Sequence, residues 1–97
     1  MFTGTLVVDL LLGDVHTLKQ KRGVVRPLLS DLRRTYAVSA AEVGDTDLYR
    51  RAQVAVAAVA GDAGHVTEVL DGCERLVAGR PEIELLSARR WLRSEHD

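Results

Sequence analysis

The chain has 97 residues, 46% of them hydrophobic and 28% charged, with a net charge of −1. That size suits a single domain, that composition excludes a disordered chain, and that charge excludes a uniformly basic nucleic-acid binder. No apolar run approaches the ~20 residues of a membrane-spanning helix, no secretion signal is evident at the start, and the single Cys73 has no disulfide partner, so the expectation is a cytoplasmic protein with no membrane association.

In chain order, residues 3–12 read as a strand. Leu6, Val8 and Leu10 point one way and Thr5, Val7, Asp9 and Leu11 the other, as the strand period of two requires. Both sets carry apolar residues, which fits a central strand. Gly13-Asp14 breaks the run. Thr17 is an N-cap and Gln20 completes a capping box. Leu18, Val25, Leu28, Leu29, Leu32 and Tyr36 follow at helical spacing. Pro27 falls inside this stripe and predicts one helix bent there, because the stripe keeps its phase across it. Residues 37–43 form a second strand whose irregular alternation and Glu42 suit an exposed edge.

The cluster Gly44-Asp45-Thr46-Asp47 is a turn. Residues 52–60 are nearly all apolar, with Val54, Val56 and Ala58 on one face, and read as a second central strand. Asp62 caps a second helix with a stripe of Val66, Val69, Leu70, Cys73, Leu76 and Val77, which Gly79, in a left-handed C-cap, and Pro81 end. Residues 83–88 form the last strand, an edge. Residues 89–97 are a charged stretch around Trp91.

The order β-α-β-β-α-β is a duplicated split βαβ unit. Right-handed crossovers place the first and third strands in the middle of a four-stranded antiparallel sheet, with both helices on one face. The fold class is therefore α+β, a two-layer sandwich, with a single domain over 1–93 and a charged tail at 94–97. The bare sheet face should show Val7, Leu11, Ala55, Ala57 and Val59, apolar enough to suggest a homodimer through that face.

Charge is segregated. Residues 16–34 hold six basic side chains (Lys19, Lys21, Arg22, Arg26, Arg33, Arg34) against one acid, Asp31. Residues 62–84 hold six acids against two arginines. The cations of His16-Thr17-Leu18-Lys19-Gln20-Lys21-Arg22 crowd a helix start, where the helix dipole disfavours them. Free backbone N–H groups there favour anions, so His16, Lys19, Lys21, Arg22 and Arg26 together form a candidate phosphate site for RNA. The alternative is a solvated basic face, partly neutralised by the acidic second helix. Arg33-Arg34 and Arg50-Arg51 read as charged ends of elements. Trp91 among Arg89, Arg90 and Arg93 could stack on a base, or pack over the domain edge or a partner chain.

No catalytic constellation is present. His16, His65, His96 and Cys73 lack metal-ligand spacing, Cys73 sits on an apolar stripe, and nothing calls for a cofactor or a small-molecule ligand. An acylphosphatase needs an Asn, and the chain contains none. An RNA-recognition motif needs aromatics on its two central strands, and here they have none. An enzyme would have only His16 and Glu42 to use.

Three segments, His16-Thr17-Leu18-Lys19-Gln20-Lys21-Arg22, Val38-Ser39-Ala40-Ala41-Glu42-Val43 and Asp47-Leu48-Tyr49-Arg50-Arg51-Ala52, together resemble the YlxP-like family of small bacterial proteins of unknown function. The resemblance runs over residues 1–91, with Thr17 where the family usually has Ser. It implies a ferredoxin-like fold and brings no assigned catalytic residues. Family genes often lie beside those of translation initiation and ribosome-maturation factors. The expectation is thus a non-enzymatic binding protein that contacts RNA or a ribosomal subunit.

Overall fold

Period-two burial sets the layers. In a computed structural model describing residues 1–97, the first strand, β1 (Phe2–Leu12), buries Leu6, Val8, Leu10 and Leu12 completely, while Thr5, Val7, Asp9 and Leu11 between them are half-buried. After it come α1 (Leu18–Thr35), β2 (Ser39–Val43), β3 (Arg51–Ala60), α2 (Ala63–Ala78) and β4 (Ile83–Ser94). The sheet order is β2-β3-β1-β4, all pairs antiparallel, so β1 and β3 are central as expected. Val54, Val56 and Ala58 of β3 join the buried face of β1, and Val25, Leu28 and Leu32 of α1 with Val66, Leu70, Cys73 and Val77 of α2 cover it. The other face of the sheet carries no layer.

Both helix starts are capped by side chains, as their sequences require. Thr17 Oγ1 accepts from Gln20 N at 3.1 Å, and Asp62 Oδ2 accepts from His65 N at 2.9 Å. Gln20 reaches back to His16 N, at 2.7 Å, one residue before the cap itself. Pro27 lies inside α1. It and Gly23, whose carbonyl loses its partner, are both exposed, so water is at hand for the freed group.

Three expectations need correction. The last strand does not stop at Ala88 but continues to Ser94, because β1 offers partners to its own first residues: Thr5 pairs with Trp91, Thr3 with Arg93 and Phe2 with Ser94. A bulge between Asp9 and Leu10 leaves Leu86 as the extra residue of β4. The residues after Ser94 fold back, with Asp97 Oδ2 accepting from Ser94 N at 2.8 Å and Glu95 paired to the N-terminal amine at 2.8 Å. The second strand starts at Ser39 rather than at 37. Gly79 ends α2 at φ −81° and ψ −5°, in the right-handed region and not the left-handed one.

Two glycines give opposite expectations. Gly4 of β1 lies under α2, and a Cβ there would collide with Val66 and meet Leu70 Cδ1 at 3.0 Å. Gly23 of α1 has open space where a Cβ would stand. Gly4→Ala should therefore lower stability by about 1–3 kcal/mol through overpacking, whereas Gly23→Ala should raise it by about 0.5–1 kcal/mol. Urea unfolding checks both, as shifts of the midpoint at constant slope.

Candidate nucleic-acid interface

The basic helix start divides into one buried cation and three exposed ones. Lys21 is only 2% exposed. Its Nζ donates to the carbonyls of Thr46 at 3.1 Å and Leu48 at 2.6 Å and lies 2.7 Å from Glu42 Oε2. Glu42 Oε2 is buried and has no well-directed hydrogen bond, so this last contact is an ion pair held by charge. A buried ammonium needs such partners, because leaving it unpaired costs several kcal/mol. Lys21 therefore leaves the candidate phosphate set: its charge is spent inside the protein, tying α1 to the loop between β2 and β3. Glu42, expected to be exposed on its edge strand, is largely buried for the same reason.

Lys19, Arg22 and Arg26 remain. All three are exposed and make no ion pair. Their spacing of three and four residues aligns them on one side of α1, over about 10 Å of helix axis. No acid lies in the first turn. His16 stands beside them but turns its Nε2 to Asp14 Oδ1, 3.3 Å away. The alternative, neutralisation by the second helix, does not occur at these residues. Asp71 and Glu74 of α2 instead hold Arg90 of β4, at 2.7 and 3.2 Å. Burial works against the charge on Arg90, but these two carboxylates outweigh it and raise its pKa. The paired arginines serve element ends: Arg33 donates to the Ala40 carbonyl, Arg34 pairs with Asp31, and Arg50 donates to the Leu12 carbonyl at 3.2 Å.

The bare sheet face is less uniformly apolar than expected. Val7, Leu11 and Ala55 are half-buried and Ala57 and Val59 exposed, in register with side chains of β4 that the shorter strand left out. Thr5 lies between Ala57 and Trp91, and Val7 between Ala55 and Arg89. Asp9 lies between Gln53 and Ser87. Ser87 Oγ donates to Asp9 Oδ2 at 2.6 Å. This bond first, then Gln53 and the nearby Arg89 and Arg51, holds the Asp9 carboxyl below its ordinary pKa despite partial burial. Trp91 was legible as a possible stacking residue, but not as a member of this face, because its strand is not marked by hydrophobic alternation.

His16 and Glu42, the two groups an enzyme would have needed, are held by different partners. No three His, Cys, Asp or Glu side chains gather as metal ligands would. Cys73 is buried, and burial pushes its thiol pKa up, away from reactivity. No helix is long and apolar enough to cross a membrane.

This architecture is a ferredoxin-like sandwich. It is similar, with a TM-score of 0.50 and 14% identity over 98% of this chain and 88% of the other, to the solution NMR structure of a de novo designed protein with ferredoxin fold. The chain belongs to the family described as "Protein of unknown function (DUF503)", whose model matches residues 3–90. It is 28% identical over 76 residues to the uncharacterized protein YlxP of Bacillus subtilis (strain 168), a match covering 78% of this chain and 83% of that protein. The family match includes the α1 cations and ends one residue before Trp91.

Two measurements check the electrostatic account. Lys21→Met leaves the Thr46 and Leu48 carbonyls and Glu42 without their cation and should cost about 3–5 kcal/mol in urea unfolding, while Glu42→Gln, which leaves both carbonyl bonds in place, should cost less. Asp31 lies between Arg80 and Arg34, and Arg80 above all lowers its pKa from the ordinary 3.8. Its contribution is complete above about pH 3.8 and is lost as pH falls through the lowered folded-state value. Asp31→Asn should accordingly be less stable than wild type near neutrality, with the difference closing in acid.

Proposed function

We propose that this protein is a non-enzymatic RNA-binding protein of the translation or ribosome-assembly apparatus, contacting RNA phosphates through Lys19, Arg22 and Arg26. The observation that carries this reading is three aligned, solvent-exposed cations without ion-pair partners along the first half of α1. Lys19, in the first turn, works against the helix dipole by a few tenths of a kcal/mol, and no acid offsets it there, so the arrangement favours an anionic partner over the stability of the free chain. Their span of about 10 Å matches two or three neighbouring phosphates of a nucleic-acid strand. His16 lies at the margin of this stripe, and Lys21 supports it from inside.

A second reading, a homodimer through the open sheet face, is favoured by Val59, which is 63% exposed, beside Val7, Leu11, Ala55 and Ala57. Against it, Arg51, Arg89 and Arg93 stand on the same face, and a second copy would have to desolvate them.

The test is binding to structured RNA and to purified ribosomal subunits across a salt series, with Lys19→Glu/Arg22→Glu/Arg26→Glu beside wild type. Lys21 is left intact, since its reversal would unfold the loop it holds. Wild type should bind with a steep salt dependence, and the variant should lose affinity and about 0.9 of logarithmic salt slope per duplex phosphate contact removed. Equal binding by both would overturn the reading.

A further inference from the structure

On the side of the domain opposite the exposed face of α1, the open sheet carries a second arrangement suited to nucleic acid. A shallow cleft of about 320 Å³ is lined by Thr3, Thr5, Trp91 and Arg93. The β1–β4 register builds it, setting Thr5 opposite Trp91 and Thr3 opposite Arg93. Trp91 is 49% exposed, which leaves about half of a large amphipathic ring open to a ligand. Arg89 and Arg93 flank it two residues away on either side, on the same face and about 7 Å along the strand. The Arg89 guanidinium lies 5.9 Å from the centre of the indole, a cation–π contact that helps fix the ring. Arg93 makes no ion pair.

Each of these groups addresses one part of a nucleotide. An exposed indole stacks on a flat π-system, an unpaired guanidinium takes a phosphate, and threonine hydroxyls both donate and accept to sugar or base-edge groups. A purely apolar ligand would leave the guanidinium and hydroxyls unsatisfied. A second copy of the chain would bring further arginines to a cleft lined by Arg93 and flanked by Arg89. In a duplex both faces of a base are stacked, so an indole on a sheet surface reaches only an unpaired base.

We propose that the Trp91 cleft binds single-stranded RNA, with one base stacked on Trp91, its phosphate on Arg93 and the neighbouring phosphate towards Arg89. The site is separate from the α1 stripe and goes beyond the phosphate contacts proposed for it. Its stacking and phosphate-binding residues, Trp91 and Arg93, lie beyond the family match, which ends at residue 90.

Trp91 is the only tryptophan, so its fluorescence reports on the cleft directly. The full-length protein is titrated with an eight-nucleotide oligoadenylate, with AMP, and with inorganic polyphosphate as a base-free polyanion. The oligonucleotide should quench Trp91 and polyphosphate should not, and AMP should bind at least tenfold more weakly than the oligonucleotide. Followed by the anisotropy of labelled oligoadenylate, Trp91→Ala should weaken binding roughly 5- to 150-fold, the range of one base–aromatic stack. Trp91→Phe should retain most of the affinity, which separates stacking from any general damage to the fold. Lys19→Glu/Arg22→Glu/Arg26→Glu should keep the quenching, so failure of the α1 reading and failure of this one remain distinct. The proposal is overturned by absence of quenching, by unchanged affinity in Trp91→Ala, by equal affinity for AMP, which would make the site one for a free nucleotide, or by light scattering that shows a dimer with Trp91 shielded from acrylamide.

Discussion

A single buried ammonium organises the end of the molecule where the α1 cations lie. Lys21 comes off the first turns of α1 into the interior, where water cannot solvate it, and is satisfied by two loop carbonyls and the Glu42 carboxylate. Those partners lie 21 to 27 residues away in sequence, on β2 and on the loop between β2 and β3. The pair thus fixes how the helix start meets the β2–β3 hairpin. Lys21 shares the buried side of α1 with Val25, Leu28 and Leu32, which leaves Lys19, Arg22 and Arg26 turned outwards together. The exposed stripe and the buried tie are two consequences of one helical phase.

The rest of the charge follows a similar economy. The acids near α1 do not reach Lys19, Arg22 or Arg26: Asp71 and Glu74 hold Arg90 on β4, and Asp31 is shared by Arg34 of its own helix and Arg80. On the open face Asp9 is occupied by Ser87 and lies 3.8 Å from Arg89. Among the cations without an ion pair are Lys19, Arg22 and Arg26 on the outer side of α1 and Arg93 beside Trp91. A chain of net charge −1 can therefore present local positive surfaces while staying far from globally basic. The arginines and the bulge of β4 also guard a long edge strand against pairing with another edge.

Much of this fold can be read from local pattern. Alternation at Leu6, Val8 and Leu10, the capping residues Thr17 and Asp62, and the stripes from Val25 to Leu32 and from Val66 to Val77 are short-range signals, and they place the core and the strand order. The second half of β4 carries no such signal. Residues 89–94 are strand because β1 is there to pair with them, a long-range cause that Arg-Arg-Trp-Leu-Arg does not announce. The same holds at the candidate site. Lys19, Lys21, Arg22 and Arg26 look alike in sequence, and only the position of Glu42 and of the loop carbonyls separates the buried lysine from the exposed cations. A Lys four places before Val25, on the side of the apolar stripe, was the one available hint.

The central claim is that nucleic acid meets the outer side of α1 and the Trp91 cleft, and not the loop that Lys21 holds. Backbone and indole NMR shifts of the full-length protein, followed during titration with an RNA hairpin bearing a single-stranded tail, test it most directly. The account predicts progressive shifts at the amides of residues 17–26 and 89–93 and at the Trp91 indole N–H, with α2 and residues 44–50 unmoved. Shifts confined to α2 or to residues 44–50, or none at all, would contradict it.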